Sequence, residues 1–223
     1  MNNPKIVFSG VFEIGNRLAT INMNRAKRVY GEQLIEHGGI EYRQWDAERS
    51  KIAAAIKKGV KEFHVESGSK VLYLGAAEGT TISHLSDIVG ESGIIYGVDI
   101  SARSMRKFLY LCEQRRNIIP ILADASQPNT YLEYIPRFSV DVLCQDVSQR
   151  EQANIFLKNA RVYLKRNGWG YLSIKARSIS SEKEVRSIVS EEAKKLENEF
   201  EILEIINLEP FEKEHAMVVC KKK

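Results

Sequence analysis

"VLYLGAAEGTTISHLSDIVG", residues 71–90, decides the fold. Val71 to Leu74 form an apolar run of strand length, Gly-Ala-Ala-Glu-Gly (75–79) reads as a turn, and the residues from Thr80 onward open a helix. The turn is not a dinucleotide fingerprint. GxGxxG would need glycines at 75, 77 and 80, and the chain has Gly75, Ala77 and Thr80 there. A P-loop is excluded too, since no lysine precedes Thr80 or Thr81. What remains is a turn that lets a ligand lie against main chain, followed by a helix start whose free N–H groups suit a carboxylate.

Downstream, the alternation continues. "GIIYGVDI" (93–100) reads as a strand, followed by a helix with Met105, Phe108, Leu109 and Cys112 on one face. "IIPILAD" (118–124) and "VDVLCQD" (140–146) are two further strands, the second leading into a helix striped by Ala153, Phe156, Leu157, Ala160, Tyr163 and Leu164. "GWGYLSIKA" (168–176) is the fifth strand, and the next helix carries Val185, Ile188, Val189, Ala193 and Leu196. "FEILEIINLEP" (200–210) and "HAMVVCK" (215–221) close the chain with no helix between them, so they pair antiparallel. The expected class is α/β: a mainly parallel, seven-stranded, doubly wound sheet with an antiparallel last strand.

Upstream, "KIVFSG" (5–10), "VFEI" (11–14) and "LATIN" (18–22) are short strands punctuated by Gly10 and Gly15-Asn16. They predict a small β-rich domain over 1–50, ahead of a main domain over 51–223. A helix from about residue 48 is expected to join them, with Ile52, Ile56, Val60 and Phe63 at helical spacing.

Composition sets limits. With 223 residues, 43% of them hydrophobic, the chain has one substantial core and room for a small appendage. A net charge of +4 permits an anionic partner but is no polybasic arm. Cys112, Cys144 and Cys220 lack any metal or redox spacing and read as reduced core thiols, so no metal is expected. No apolar run approaches membrane-spanning length, and the first residues lack a signal-peptide pattern, so a cytoplasmic location is expected. The terminal Lys221-Lys222-Lys223 reads as a solvated tail.

Ligands of doubly wound sheets bind beyond the carboxyl ends of the strands. Asp99 ends one predicted strand, near the roughly 20-residue offset at which an acid meets ribose hydroxyls in this architecture. Asp124 ends the next and can accept from an amino-purine edge. Each is also a candidate helix N-cap, Asp99 especially. Together, nucleoside contacts, a carboxylate seat and no phosphate cradle fit S-adenosylmethionine better than NAD or ADP.

"YRQWDAERSKIAAAI" (42–56), the opening stretch, "NIIPILADASQP" (117–128), "CQDVSQREQ" (144–152), "IKARSI" (174–179) and "LEPFEKEHAMVV" (208–219) together resemble the fibrillarin family in its short, archaeal form. These are RNA 2′-O-methyltransferase subunits of C/D box guide ribonucleoproteins. The resemblance covers nearly the whole chain and implies a Rossmann-like class I methyltransferase domain behind a small β-domain. The nucleolar form's Gly-Arg-rich tract has no counterpart here. Implied donor contacts are Thr80, Thr81, Asp99, Ile100, Asp124, Ala125, Asp146, Val147, Ser148 and Gln149, beside Gly75 and Ala77 of the turn. The family's Lys-Asp-Lys-His tetrad falls on Lys51, Asp146, Lys175 and His215. Ser148 and Arg150 depart from the usual family residues and leave the acidic and amide positions intact.

Asp146, Lys175 and His215 also fit the crevice by their strand-end positions, whereas Lys51 is assigned by resemblance alone. The expected division of roles has Asp146 orienting the hydroxyl, Lys175 guiding the proton and taking it late, and Lys51 and His215 holding Lys175 in place. Arg43, Arg49, Lys51, Lys175 and Arg177 are candidates for phosphate contacts. With no base-reading motif in the chain, RNA selection falls to partners. The resemblance implies a Nop-domain scaffold protein, a kink-turn-binding protein of ribosomal type and a C/D box guide RNA, with rRNA or tRNA as substrate. A protein glutamine methyltransferase and a non-catalytic scaffold are the alternatives.

Overall fold

The computed structural model describes residues 3–223 and contains two sheets. The first is antiparallel, in the order β1 (Lys5–Phe8), β2 (Val11–Ile14), β3 (Arg17–Ile21), β5 (Ile40–Trp45), β4 (Leu34–His37). The last pair escaped the sequence reading because "LIEH" and "IEYRQW" mix charged and apolar residues too evenly for a short-window pattern.

The second sheet has seven strands, in the order β11 (Phe200–Asn207), β12 (His215–Lys222), β10 (Leu164–Lys175), β9 (Val140–Gln145), β6 (Lys70–Leu74), β7 (Ile94–Asp99), β8 (Ile118–Leu122). Strands β8, β7, β6, β9 and β10 are parallel, and β12 runs antiparallel to both β10 and β11. The expected class and the antiparallel close are both observed. The order reverses between β6 and β9, which puts the topological switch point directly over Gly75 and Asp146.

The helices are α1 (Lys51–Lys57), α2 (Thr80–Val89), α3 (Ala102–Gln114), α4 (Gln152–Tyr163), the short α5 (Ala176–Ile179) and α6 (Val185–Leu196). One large core cluster contains Phe108, Ile82 and Tyr171, and a second contains Phe156, Leu172 and Leu196.

Several expectations need correction. Helix α1 stops at Lys57 because Gly59 turns the chain at φ +86°, so Val60 and Phe63 are buried from a connecting segment. On α3 the buried face is Met105, Phe108 and Leu111, whereas Leu109 is 44% exposed. Leu164 opens β10 and is not part of the preceding helix. Lys222 is not a loose tail: its ammonium donates to the carbonyls of Ala160 and Leu164 at 2.7 and 2.9 Å, capping the end of α4. The thiols of Cys144 and Cys220 are buried and free, and burial pushes the half-buried Cys112 thiol up to about 12.

Arg43 is the largest correction. Instead of meeting phosphate, it is 0% exposed and joins the small sheet to α2. Its Nε donates to Glu32 at 2.7 Å and its Nη1 to Asp87 at 2.8 Å, while Arg115 donates to the other Asp87 oxygen at 2.6 Å. Two cations face two anions out of water. Such a set is tolerated only when every charge has its partner.

Candidate active site

Three parallel strands deliver the cleft's acids. Gly75 follows β6 at φ +86°, and a Cβ there would lie 2.1 Å from the Asp146 carbonyl oxygen. The crowding that demands glycine is therefore the neighbouring strand's main chain, which also donates from Asp146 N to Leu74 O at 2.8 Å. The same glycine also lines the cleft, where the turn leaves room for a ligand against main chain. Gly79 is required by packing: a Cβ would strike Leu111 and Phe108 of α3 at 2.6 and 2.7 Å.

The turn is wired to the next strand. Ala77, at φ +48°, donates its N–H to Asp99 Oδ2 at 2.7 Å, and Ser101 N donates to Asp99 Oδ1 at 2.8 Å. Helix α3 is capped by the Ser101 hydroxyl, so Asp99 is not the N-cap. Asp124 accepts from Ser126 N at 2.8 Å and from Gln149 Nε2 at 3.4 Å. The Ser126 amide holds its carboxyl below the usual range, and it is ionised at neutral pH.

Gly75, Ala77, Asp99, Ile100, Asp124, Ala125, Asp146, Val147, Ser148 and Gln149, with Ala123, enclose a cleft of about 390 Å³. That volume sits in the lower part of the ~300–1,000 Å³ range of small-molecule sites. Thr80 and Thr81 are not among its walls. They open α2 just behind the turn, and the Thr81 hydroxyl donates to Ser50 Oγ at 3.1 Å. A larger groove of about 540 Å³ runs past Thr80 on the far side, lined by Arg28, Arg49, Arg106 and Lys107. Its one carboxylate, Glu78, is tied to Lys107, so it has no acid free to bind a nucleoside.

Of the tetrad residues, Asp146 lines the cleft of about 390 Å³ and pairs with Lys51, and Lys175 stands opposite His215 in the neighbouring strands. Lys51 is the first residue of α1, set by the Ser50 cap, and its ammonium bonds Asp146 Oδ2 at 2.9 Å, with Glu212 Oε1 at 3.5 Å. Burial draws the Lys51 pKa down, but Asp146 and Glu212 more than offset it, and the net shift is upward. Lys51 is thus an ammonium seated on Asp146, not a prop for Lys175. Lys175 ends β10 directly opposite His215 of β12. Its main chain is clamped by the fully buried Gln152, whose Oε1 accepts from Lys175 N at 2.9 Å and whose Nε2 donates to Lys175 O at 3.2 Å. Among the described residues its ammonium makes no ion pair. His215 Nδ1 lies 2.7 Å from the Lys213 carbonyl, which only accepts, so Nδ1 carries a proton and Nε2 is the nitrogen left with a lone pair in the neutral ring.

Gln152, Ser50 and Glu212 were not singled out from sequence. All three lie inside the quoted motifs, and a polar residue at the head of an apolar-striped helix was the one available signal for the first. No cluster of three or more His, Cys, Asp or Glu side chains among the described residues is arranged to hold a metal.

The site combines paired acids at strand ends and an acid–ammonium pair at the switch point, with no phosphate cradle. Comparison with known proteins agrees. The Fibrillarin family profile matches residues 2–223. A Pyrococcus horikoshii protein, a "Fibrillarin-like rRNA/tRNA 2'-O-methyltransferase", is 46% identical over 220 residues, covering 96% of each chain. Aeropyrum pernix fibrillarin, solved with natively bound S-adenosyl-L-methionine, superposes with a TM-score of 0.86 at 42% identity, over 99% of this chain and 100% of that one. A fibrillarin from a solved fibrillarin/Nop5p complex superposes at 0.87 with 38% identity, over 96% and 98%. On its sequence, its two-sheet architecture and the acids at its switch point, the chain belongs to the fibrillarin family.

Proposed function

We propose that this chain transfers a methyl group from S-adenosylmethionine to the ribose 2′-hydroxyl of rRNA and tRNA, as the catalytic subunit of a guide RNA-directed assembly. The observation that carries the reading is the Lys51–Asp146 pair at 2.9 Å, on the rim of a cleft whose other walls hold Asp99 and Asp124. The family relationship supports it, since the relatives include a named rRNA/tRNA 2′-O-methyltransferase, a fibrillarin with bound donor and one in complex with Nop5p.

The cleft fits the donor's chemistry. Asp99 suits the ribose hydroxyls, Asp124 the amino edge of the purine, and Ile100 and Val147 offer apolar surface to its faces. The first-turn N–H groups of α2, at Thr80 and Thr81, have no carbonyl one turn back to bond and suit the amino-acid carboxylate. The donor supplies an electrophilic methyl on a sulfonium.

The protein's own part is alignment and exclusion of water. With Oδ2 taken by Lys51, Asp146 has Oδ1 to accept from the 2′-hydroxyl and orient its lone pair. Lys175, with no carboxylate partner among the described residues, faces the negative charge of the neighbouring phosphate and of the oxygen as its proton leaves. The Nε2 of His215, across the strand pair from Lys175, is the basic nitrogen nearest in register to receive that proton.

Target choice belongs to partners: a Nop-domain scaffold, a kink-turn-binding protein and a C/D box guide RNA. The test is radiolabelled methyl transfer by the chain alone, with scaffold, and with scaffold, kink-turn protein and guide. Label at the guide-paired ribose, in the full assembly alone, is expected. Label on bare RNA would overturn the partner requirement, and label confined to a protein glutamine would overturn the substrate.

A further inference from the structure

The turn between β11 and β12 brings a fifth charged group to the tetrad. Leu208 is fully buried and donates its N–H to His215 O at 3.0 Å. Phe211 N and Glu212 N both return to Leu208 O, at 3.0 and 3.2 Å, and the Phe211 ring packs on the large core. These anchors fix the point at which Glu212 leaves the chain. Its carboxylate then stands between two tetrad members, Oε1 at 3.5 Å from Lys51 Nζ and Oε2 at 3.9 Å from His215 Nδ1. The side chains of Lys51, Glu212 and His215 are 17%, 24% and 10% exposed, so water screens these charges only partly.

Counting charges shows what the carboxylate does. Lys51 with Asp146 alone is neutral, and the sulfonium of the donor and the Lys175 ammonium then add two positive charges. Glu212 offsets one of these two, from a position 3.5 Å from Lys51 Nζ. It also gives Lys51 a second anchor, so that the ammonium is gripped from two sides and keeps to Asp146 Oδ2. Asp146 Oδ1 is then left without a protein donor among the described residues.

We propose that Glu212 is a positioning residue for methyl transfer: it fixes the Lys51 ammonium between two carboxylates, so that Asp146 presents one open, charged oxygen to the 2′-hydroxyl. This rests on the RNA reading above. The upward shift at Lys51, to which Glu212 contributes after Asp146, agrees with it.

The experiment compares native chain, Glu212→Gln and Glu212→Ala in the full assembly, by single-turnover transfer at saturating donor and RNA, together with donor affinity and thermal midpoint. Glu212→Ala is expected to lower the maximal rate by about 10- to 100-fold, and Glu212→Gln, which keeps shape and an accepting oxygen but loses the charge, to fall between it and native. Donor affinity should stay within about twofold. An unchanged maximal rate in both variants overturns the proposal. So does a rate loss matched by lost donor affinity or a lowered midpoint, which is the mark of a merely structural turn. A native assembly that labels no RNA at all would remove the reaction itself, and is distinguished by the native control.

Discussion

Asp146 is the residue on which the site turns, because it is held from both ends. Its amide belongs to the ladder with Leu74, its carbonyl presses on Gly75, and its carboxylate carries Lys51. Lys175, by contrast, is fixed only through its main chain, by Gln152. In the proposed mechanism this lysine acts on the reaction and not on the ground-state donor complex. Lys175→Ala is therefore expected to leave donor affinity within about twofold, by isothermal titration, while lowering single-turnover transfer by roughly 10²- to 10⁴-fold. Full activity in that variant would discard its role. At this scale the sequence was legible wherever strand ends are: Asp99, Asp124, Asp146 and Lys175 all follow from the alternation of elements. Lys51 was not, since its partner lies 95 residues away and helical spacing says nothing about what a first-turn lysine reaches. Glu212 was hidden for the same reason, being one acid among several in "LEPFEKEH".

Among the elements, α2 does two things. Its start adjoins the cleft, and its buried flank carries Ser83, His84 and Asp87 against the small sheet. Thr20 donates its hydroxyl proton to Asp87 at 2.9 Å, so it accepts from His84 Nδ1 at 2.8 Å, while the Tyr30 hydroxyl lies 2.8 Å from Nε2 and 3.0 Å from the Gln44 carbonyl. The ring stacks on Trp45 with centroids 5.1 Å apart. Burial first, then Arg43 and Arg115, hold the His84 pKa well below its ordinary value, so the folded ring stays neutral. The unfolded ring takes a proton below about pH 6.5, and stability that is complete above that pH is lost as pH falls through this window. Urea midpoints between pH 7.5 and 5.5 should show the decline, at up to about 1.4 kcal/mol per unit, and His84→Gln should flatten it. A pH slope unchanged by His84→Gln would contradict the assignment. Asp87→Asn leaves Arg43 and Arg115 short of a counter-charge and is expected to cost about 3–5 kcal/mol by denaturant unfolding. None of this network was legible: an arginine in a short strand reads as surface charge until the fold brings its acid, 44 residues on, beside it.

Across the whole molecule, the strand order places every proposed contact at one end of the large sheet. The class, the seven strands and the antiparallel close could be read because hydrophobic period and the missing last crossover are local signals. The end of α1 at Gly59 and the pairing of β4 with β5 could not, because burial from a connecting segment mimics helical spacing and a mixed strand mimics a loop. The switch point between β6 and β9 then brings Gly75, Asp99, Asp124 and Asp146 around one cleft, with Lys51 and Glu212 arriving from outside the sheet. The central claim is that this cleft seats an adenosyl sulfonium with its methyl turned toward Asp146 and Lys175. The most direct test is a crystal structure of this chain with S-adenosylmethionine. The account predicts the adenosine between Asp99 and Asp124 and the sulfur on the Asp146 side, and an adenosine lodged in the Arg28–Arg106 groove, or a sulfur turned away from Asp146, would contradict it.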